Sequence, residues 1–107
     1  MLYTISETAL RQYRSGAKRD KDLSKDILEI KINCLILSTD IRNTRYTTCG
    51  KIYQFGKCRF EVDRENRVRR ITWSDGDNLL KPEAEKLREN YKKYGLNRKG
   101  NKFIGKE

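Results

Sequence analysis

The residues in this chain best suited to chemistry are its arginines. CRFEVDRENRVRRITW, residues 58 to 73, holds five of them, Arg59, Arg64, Arg67, Arg69 and Arg70, and Arg45 stands a little upstream in RYTT. A guanidinium is planar, permanently charged and matched to two phosphate oxygens at once. Glu61 lies next but one to Arg59, so on a strand the two share a face. Cations beside a carboxylate suit cleavage of an RNA backbone without metal. A base takes the ribose 2′ proton, the 2′ oxygen attacks the adjacent phosphorus, and cations offset the charge building there while an acid protonates the departing 5′ oxygen. Arg45, Arg59 and Arg70 fit the cation role and Glu61 the base. Lys51 or Lys57, at hairpin ends, could supply the acid, although turn lysines are equally readable as solvated charges. Arg45, Gln54, Lys51 and Lys57 are the further candidate nucleic-acid contacts. The chain has no histidine, which excludes His-dependent nuclease and hydrolase mechanisms.

These side chains need elements to carry them. Ser6 is a plausible N-cap with Glu7 in the first turn, and Leu10, Tyr13 and Ala17 recur at helical spacing behind it. After the charged link KRDKD, the residues Leu23, Ile27, Ile30 and Cys34 form the stripe of a second helix; CLIL either finishes that helix or begins a strand. A short strand at residues 2 to 5 could precede both. From about Asn43 the period becomes two: RYTT, KIYQF, CRFEV and RVRRITW, separated by Cys-Gly, Gly-Lys and DREN, read as a four-stranded antiparallel meander. Then come the polar turn SDGDN and a third helix with Pro82 at its first position. Its stripe is Leu80, Ala84, Leu87, Tyr91 and Tyr94, and Gly95 fits the C-terminal cap. The expected fold class is α+β, with two N-terminal helices, a four-stranded antiparallel meander and a C-terminal helix. It forms a single domain over residues 1–107, its core at about 2–94, with residues 95–107 a basic tail or an edge strand.

Turn positions predict the register. A Cys49-Gly50 turn sets Tyr46 opposite Tyr53 and Arg45 opposite Gln54. A Gly56-Lys57 turn sets Tyr53 opposite Phe60 and Gln54 opposite Arg59. A loop at 63–66 sets Cys58 opposite Ile71 and Arg59 opposite Arg70. Cross-strand partners share a face, so Tyr46, Tyr53, Phe55, Cys58, Phe60, Val62, Ile71 and Trp73 form the core face. Arg45, Gln54, Arg59 and Arg70 make one row on the other face, beside a row of Thr47, Ile52, Glu61 and Val68. Arg67 and Arg69 share parity with Ile71, so this scheme puts them at the rim of the core face or snorkelling out of it.

Lysine and arginine outnumber aspartate and glutamate 25 to 15. A polyanionic partner follows, nucleic acid before anionic membrane or acidic protein, although excess charge also serves plain solubility. No stretch has the apolar length of a membrane span, and MLYTISETAL lacks the pattern of a signal peptide. Cys34, Cys49 and Cys58 form no CxxC pair, so no metal or other cofactor is expected, and an odd number of cysteines fits a reducing cytoplasm.

The order helix, helix, meander, helix in a small basic chain resembles the RelE/ParE-like bacterial toxin superfamily and, more broadly, small microbial ribonucleases. The stretch KIYQFGKCRFEVDRENRVRRITW is similar to the central hairpin and following strand of such toxins, and the resemblance spans residues 7 to 94. It implies a metal-independent endoribonuclease acting on RNA, free or ribosome-bound, and neutralised by an antitoxin or immunity protein. Arg59 and Arg70 match as strand-borne basic residues, Arg45 less closely. The family often places a tyrosine or another polar residue near the C-terminus, where Tyr91 and Tyr94 stand, but their spacing with Leu87 reads as core. A reading of another class stays open: a non-enzymatic nucleic-acid-binding or phage- or plasmid-type interaction protein using the same basic face.

Overall fold

A computed structural model of the chain describes residues 2–39, 41–74 and 84–104. Ser6 caps the first helix, α1 (Glu7–Gly16), its Oγ accepting the Ala9 N–H at 3.1 Å. Ser24 does the same for α2 (Lys25–Leu37) through the Ile27 N–H. A 3₁₀ turn at Lys18–Asp20 joins them. CLIL completes α2 and begins no strand.

The stripe expected to bury α2 is not the one against the sheet. Leu28, Ile32, Leu35 and Ile36 face the main core, whereas Ile27, Ile30 and Cys34 join a second cluster with Tyr91 and Leu96. The helix is apolar on two sides because it is covered on two sides, which a single stripe cannot represent. Buried Asn33 is its polar exception: Nδ2 donates to Tyr3 O at 3.0 Å and Oδ1 accepts the Tyr3 N–H. One side chain thereby satisfies the backbone entering the first strand.

Strands β1 (Thr4–Ile5), β2 (Thr44–Thr47), β3 (Gly50–Phe55), β4 (Cys58–Asp63) and β5 (Arg67–Trp73) form one sheet in the order β1-β5-β4-β3-β2. The class is α+β. The four-stranded meander is present as β2 to β5, but β1 joins it parallel to β5, so the sheet is five-stranded and mixed. Its core face carries Cys58, Phe60, Val62, Val68 and Ile71, with Ile5 of β1, against α1 and α2.

Two registers differ from expectation by two residues. In the first hairpin the loop is Thr48-Cys49, so Tyr46 pairs with Lys51 and Arg45 with Ile52. Thr47 Oγ1 accepts the Cys49 N–H and closes that turn. Gly50 is a strand residue because the Val62 carbonyl lies where its Cβ would be, 2.0 Å away, and its φ is +152°. Tyr46 consequently projects past the helices and is 71% exposed, not buried. The middle hairpin holds as expected, with Tyr53 opposite Phe60 and Gln54 opposite Arg59. Between β4 and β5, Cys58 pairs with Trp73, Phe60 with Ile71 and Glu61 with Arg70, and a bulge then sets Val62 against Val68. The extra residue, Arg69, flips the parity of the strand start. Val68 moves to the core face, fully buried, and Arg67 and Arg69 are exposed on the other side. A bulge is the physical alternative to burying two arginines. Trp73, though on the core face, is 38% exposed; its ring meets Tyr13 at 5.5 Å and its Nε1 donates to Gln12 O.

The third helix, α3 (Ala84–Lys93), packs on α2 through Leu87 and Tyr91. Leu80, Pro82 and most of SDGDN lie outside the described residues. Gly95 N–H donates to Lys92 O and Leu96 N–H to Tyr91 O, a Schellman ending with Leu96 against Tyr91. Residues 96–104 fold back on themselves instead of joining the main sheet, and residues 105–107 lie outside the described residues. Leu96 and Phe103 form an antiparallel bridge, and Asn97 N–H reaches Lys102 O at 2.8 Å.

The bulge yields a paired test. Val68→Ala should cost about 2 kcal/mol of unfolding free energy, and its neighbour Arg69→Ala within about 0.5 kcal/mol of nothing. Urea denaturation of both variants checks it; an unbulged strand would reverse the ranking.

Candidate functional site

Both helices against the sheet lie on its Phe60 side. The opposite face carries, from one end to the other, Asp63 with Arg67 and Arg69, then Arg45, Ile52, Glu61 and Arg70 in register, then Gln54, Arg59 and Thr72. The arginines expected side by side are therefore separated. Arg59 faces Thr72 rather than Arg70, and Arg45 faces Ile52 rather than Gln54. A two-residue slip in each outer hairpin keeps every side chain outside the bulged start of β5 on its face while changing its neighbours. The result lowers repulsion, because like charges directly opposite destabilise a strand pair and unlike ones stabilise it.

Glu61 now sits in the middle of the face. Its Oε2 lies 3.8 Å from Arg70 Nε, with both side chains substantially solvated. Arg59, two residues along the strand, is half-buried and its Nε donates to Gln54 Oε1 at 3.3 Å. Gln54, itself buried, donates in turn to Gly56 O at 2.9 Å. Arg59 is thus oriented by a neutral partner.

Asp63 organises the other end. Its Oδ1 accepts the N–H groups of Glu65 and Arg67, and its Oδ2 lies 3.2 Å from Arg67 Nε and 4.0 Å from Arg69 Nη1. Loss of hydration alone would raise its carboxyl. The two backbone donors and the Arg67 guanidinium together outweigh that and hold it below the usual carboxylate range. A concavity of about 320 Å³ lies here, lined by Thr47, Cys49, Ile52, Glu61, Asp63 and Arg69 among others.

Arg45, Gln54, Arg59, Glu61 and Arg70 share this face. Lys51 does not: it pairs with Tyr46 and Val62, and its Nζ lies 5.5 Å from the Tyr46 ring centroid. Lys57 sits in the β3–β4 turn, at the opposite end of β4 from Asp63. Neither tyrosine of the C-terminal helix region comes to the face. Tyr91 is buried against Cys34 and Leu96, and burial pushes its phenol well above the ordinary value; Tyr94 packs in the same cluster. Arg67, Arg69 and Asp63 belong to the site and were not among the candidates. Their signal is the spacing in RVRRI, where two apolar residues stand three apart inside an alternating strand.

The three cysteines are free, Cys49 exposed and the other two buried. Among the described residues no group of three His, Cys, Asp or Glu side chains gathers at a metal-sized site, and no helix is long and apolar enough to cross a membrane. No family model, curated protein or solved structure matches this chain.

The depressed Asp63 carboxyl sets the sign of one pH effect. Its contribution is present above the unfolded carboxylate range and is lost as pH falls from that range through the lower folded-state value. Asp63→Asn keeps one acceptor oxygen for the turn and removes the charge. Between about pH 6 and about pH 3 the urea midpoint of the parent should therefore fall more than that of the variant.

Proposed function

We propose that this chain is an RNA-binding, toxin-type domain that cleaves RNA without a metal, using the face of β2 to β5 turned away from the helices. One observation carries the reading: Glu61 stands in register with Arg45 and Arg70, with Arg59 two residues along the same strand. Guanidinium groups alone would serve a binder of phosphate, whereas a carboxylate among them lowers affinity and has a use in taking the 2′ proton. Arg59 and Arg70 would contact the reacting phosphate, and Arg45 and Arg69 its neighbours along the strand. The concavity beside Glu61 would receive the ribose. Three free thiols fit a reducing cytoplasm, and an antitoxin or immunity protein would be expected to cover the face.

A second reading, a non-catalytic nucleic-acid or interaction protein using the same face, is favoured by the place of Lys51. That lysine borders the concavity but has the helix-side parity of β3, so the proton donor for the 5′ oxygen would fall to Lys57, water or an arginine. Here Glu61 and Asp63 act as counterions that keep a crowded cationic face stable.

Incubating the purified chain with total RNA in EDTA separates the two. The enzyme reading expects cleavage under chelation, slowed ~10²–10⁴-fold by Glu61→Gln at equal or tighter RNA binding. Arg59→Ala and Arg70→Ala should weaken binding and cleavage together, since each cation serves ground and transition states. Intact RNA with the parent protein, alongside affinity that falls steeply with salt, would leave only the binder.

A further inference from the structure

On the helix side of the molecule, the 3₁₀ turn at Lys18–Asp20 and the loop after α3 border an open cleft of about 560 Å³. Its lining holds four cations, Arg19, Arg98, Lys99 and Lys102, with the amides of Asn97 and Asn101 and one apolar wall from Leu23. Among the described residues no carboxylate lines it. Asp20, beside Arg19, is turned inward and buried, taking the Tyr13 hydroxyl at 2.8 Å and the Lys31 ammonium at 2.8 Å, and Asp22, beside Leu23, is exposed but not part of the lining. Four like charges round one concavity repel one another and together raise the local concentration of anions there.

The cleft is also built rather than incidental. Lys31, its side chain only 12% exposed, joins the two walls: its Nζ bonds Asp20 on one and reaches Lys99 O at 3.5 Å on the other. Asn97 Nδ2 donates to Asn101 Oδ1 while Asn97 Oδ1 accepts the Asn101 N–H, closing the loop on itself. Gly100 is buried at φ +68°, and a Cβ there would lie 2.5 Å from the Tyr91 ring, so the loop backbone is seated directly on the core. The backbone that carries Arg98, Lys99 and Lys102 is thus already fixed, and a ligand has only their side chains to order.

We infer that this cleft is a phosphate-binding site, separate from the sheet face and independent of it. Its volume falls in the range of small-ligand sites, about 300–1,000 Å³. The lining has no aromatic platform for a base, so recognition rests on the anion: two or more linked phosphates bridged by the Arg19 and Arg98 guanidiniums and the lysine ammoniums. Linked phosphates reach such a site either as the tail of a free nucleoside polyphosphate or as consecutive groups of a nucleic-acid backbone.

Isothermal titration of the full chain with pyrophosphate at low ionic strength tests the site, with Arg98→Gln/Lys102→Gln and Arg59→Gln/Arg70→Gln as paired variants. The parent should bind saturably. The cleft variant should lose at least about tenfold in affinity, the loss expected from removing charge-assisted bonds, while the sheet variant should retain it. All four substituted residues are solvent-accessible, and an unchanged thermal midpoint establishes that each variant is folded. Absence of saturable binding by the parent, or binding lost only in the sheet variant, overturns the proposal. A short single-stranded RNA identifies the source of the phosphates. If the cleft variant flattens the dependence of log affinity on log salt by about 1.4, two backbone contacts have been lost and the ligand is a strand. An unchanged slope together with lost pyrophosphate binding identifies a free polyphosphate.

Discussion

Everything on the candidate face depends on one extra residue in β5. Alternation carried straight through the strand would direct Arg67 and Arg69 at the hydrophobic core and Val68 at solvent. Desolvating two unpaired guanidiniums would cost far more than a strand pair returns. The bulge at Arg69 resolves the conflict by flipping the parity between Val68 and Ile71, both of which are fully or almost fully buried. It costs one ladder position and places Arg67, Arg69 and Arg70 together on the far side. There Asp63 and Glu61 on the adjoining strand meet them.

The counterions explain how a chain with ten more cations than anions folds at all. On the sheet face Glu61 and Asp63 stand among Arg45, Arg59, Arg67, Arg69 and Arg70, so part of the repulsion is offset and a positive excess remains. On the helix side the balance differs. Asp20 is spent inside, on Tyr13 and Lys31, and burial with that carboxylate alongside pushes the Tyr13 phenol far up. Arg19, next to Asp20 in sequence, is left on the cleft with Arg98, Lys99 and Lys102. Excess charge is thus distributed unevenly, partly offset by carboxylates on the sheet face and gathered without them at the loop after α3.

Layering sets the remaining constraints. Helix α2 lies between the sheet and α3, and both of its sides are buried, which is why its sequence is apolar nearly all the way round. Asn33 and Ser38 are the polar groups that this position tolerates, each with its hydrogen bonds satisfied inside the fold. The Asn33 amide ties the chain before β1 to α2, so the parallel edge strand and the second layer are held by the same side chain.

Much of this was legible from the chain alone. Ser6, the two-residue period after Asn43, the Gly56-Lys57 hairpin and the stop at Gly95 each follow from local chemistry: a cap, a pleat, a turn, a left-handed residue. The sharing of one face by Arg45, Gln54, Arg59, Glu61 and Arg70 was legible too, because parity survives a slip of two. Their neighbours were not. Which arginine meets which carboxylate depends on where a turn closes, and Gly50 could serve the turn or the close approach of β4 equally well in one dimension. Only the Val62 carbonyl, distant in sequence, decides between them. The same holds for the bulge, for the two-sided burial of α2 and for the cleft between Arg19 and Arg98. Each results from contacts between segments far apart along the chain, whose cost or benefit exists only once the layers meet.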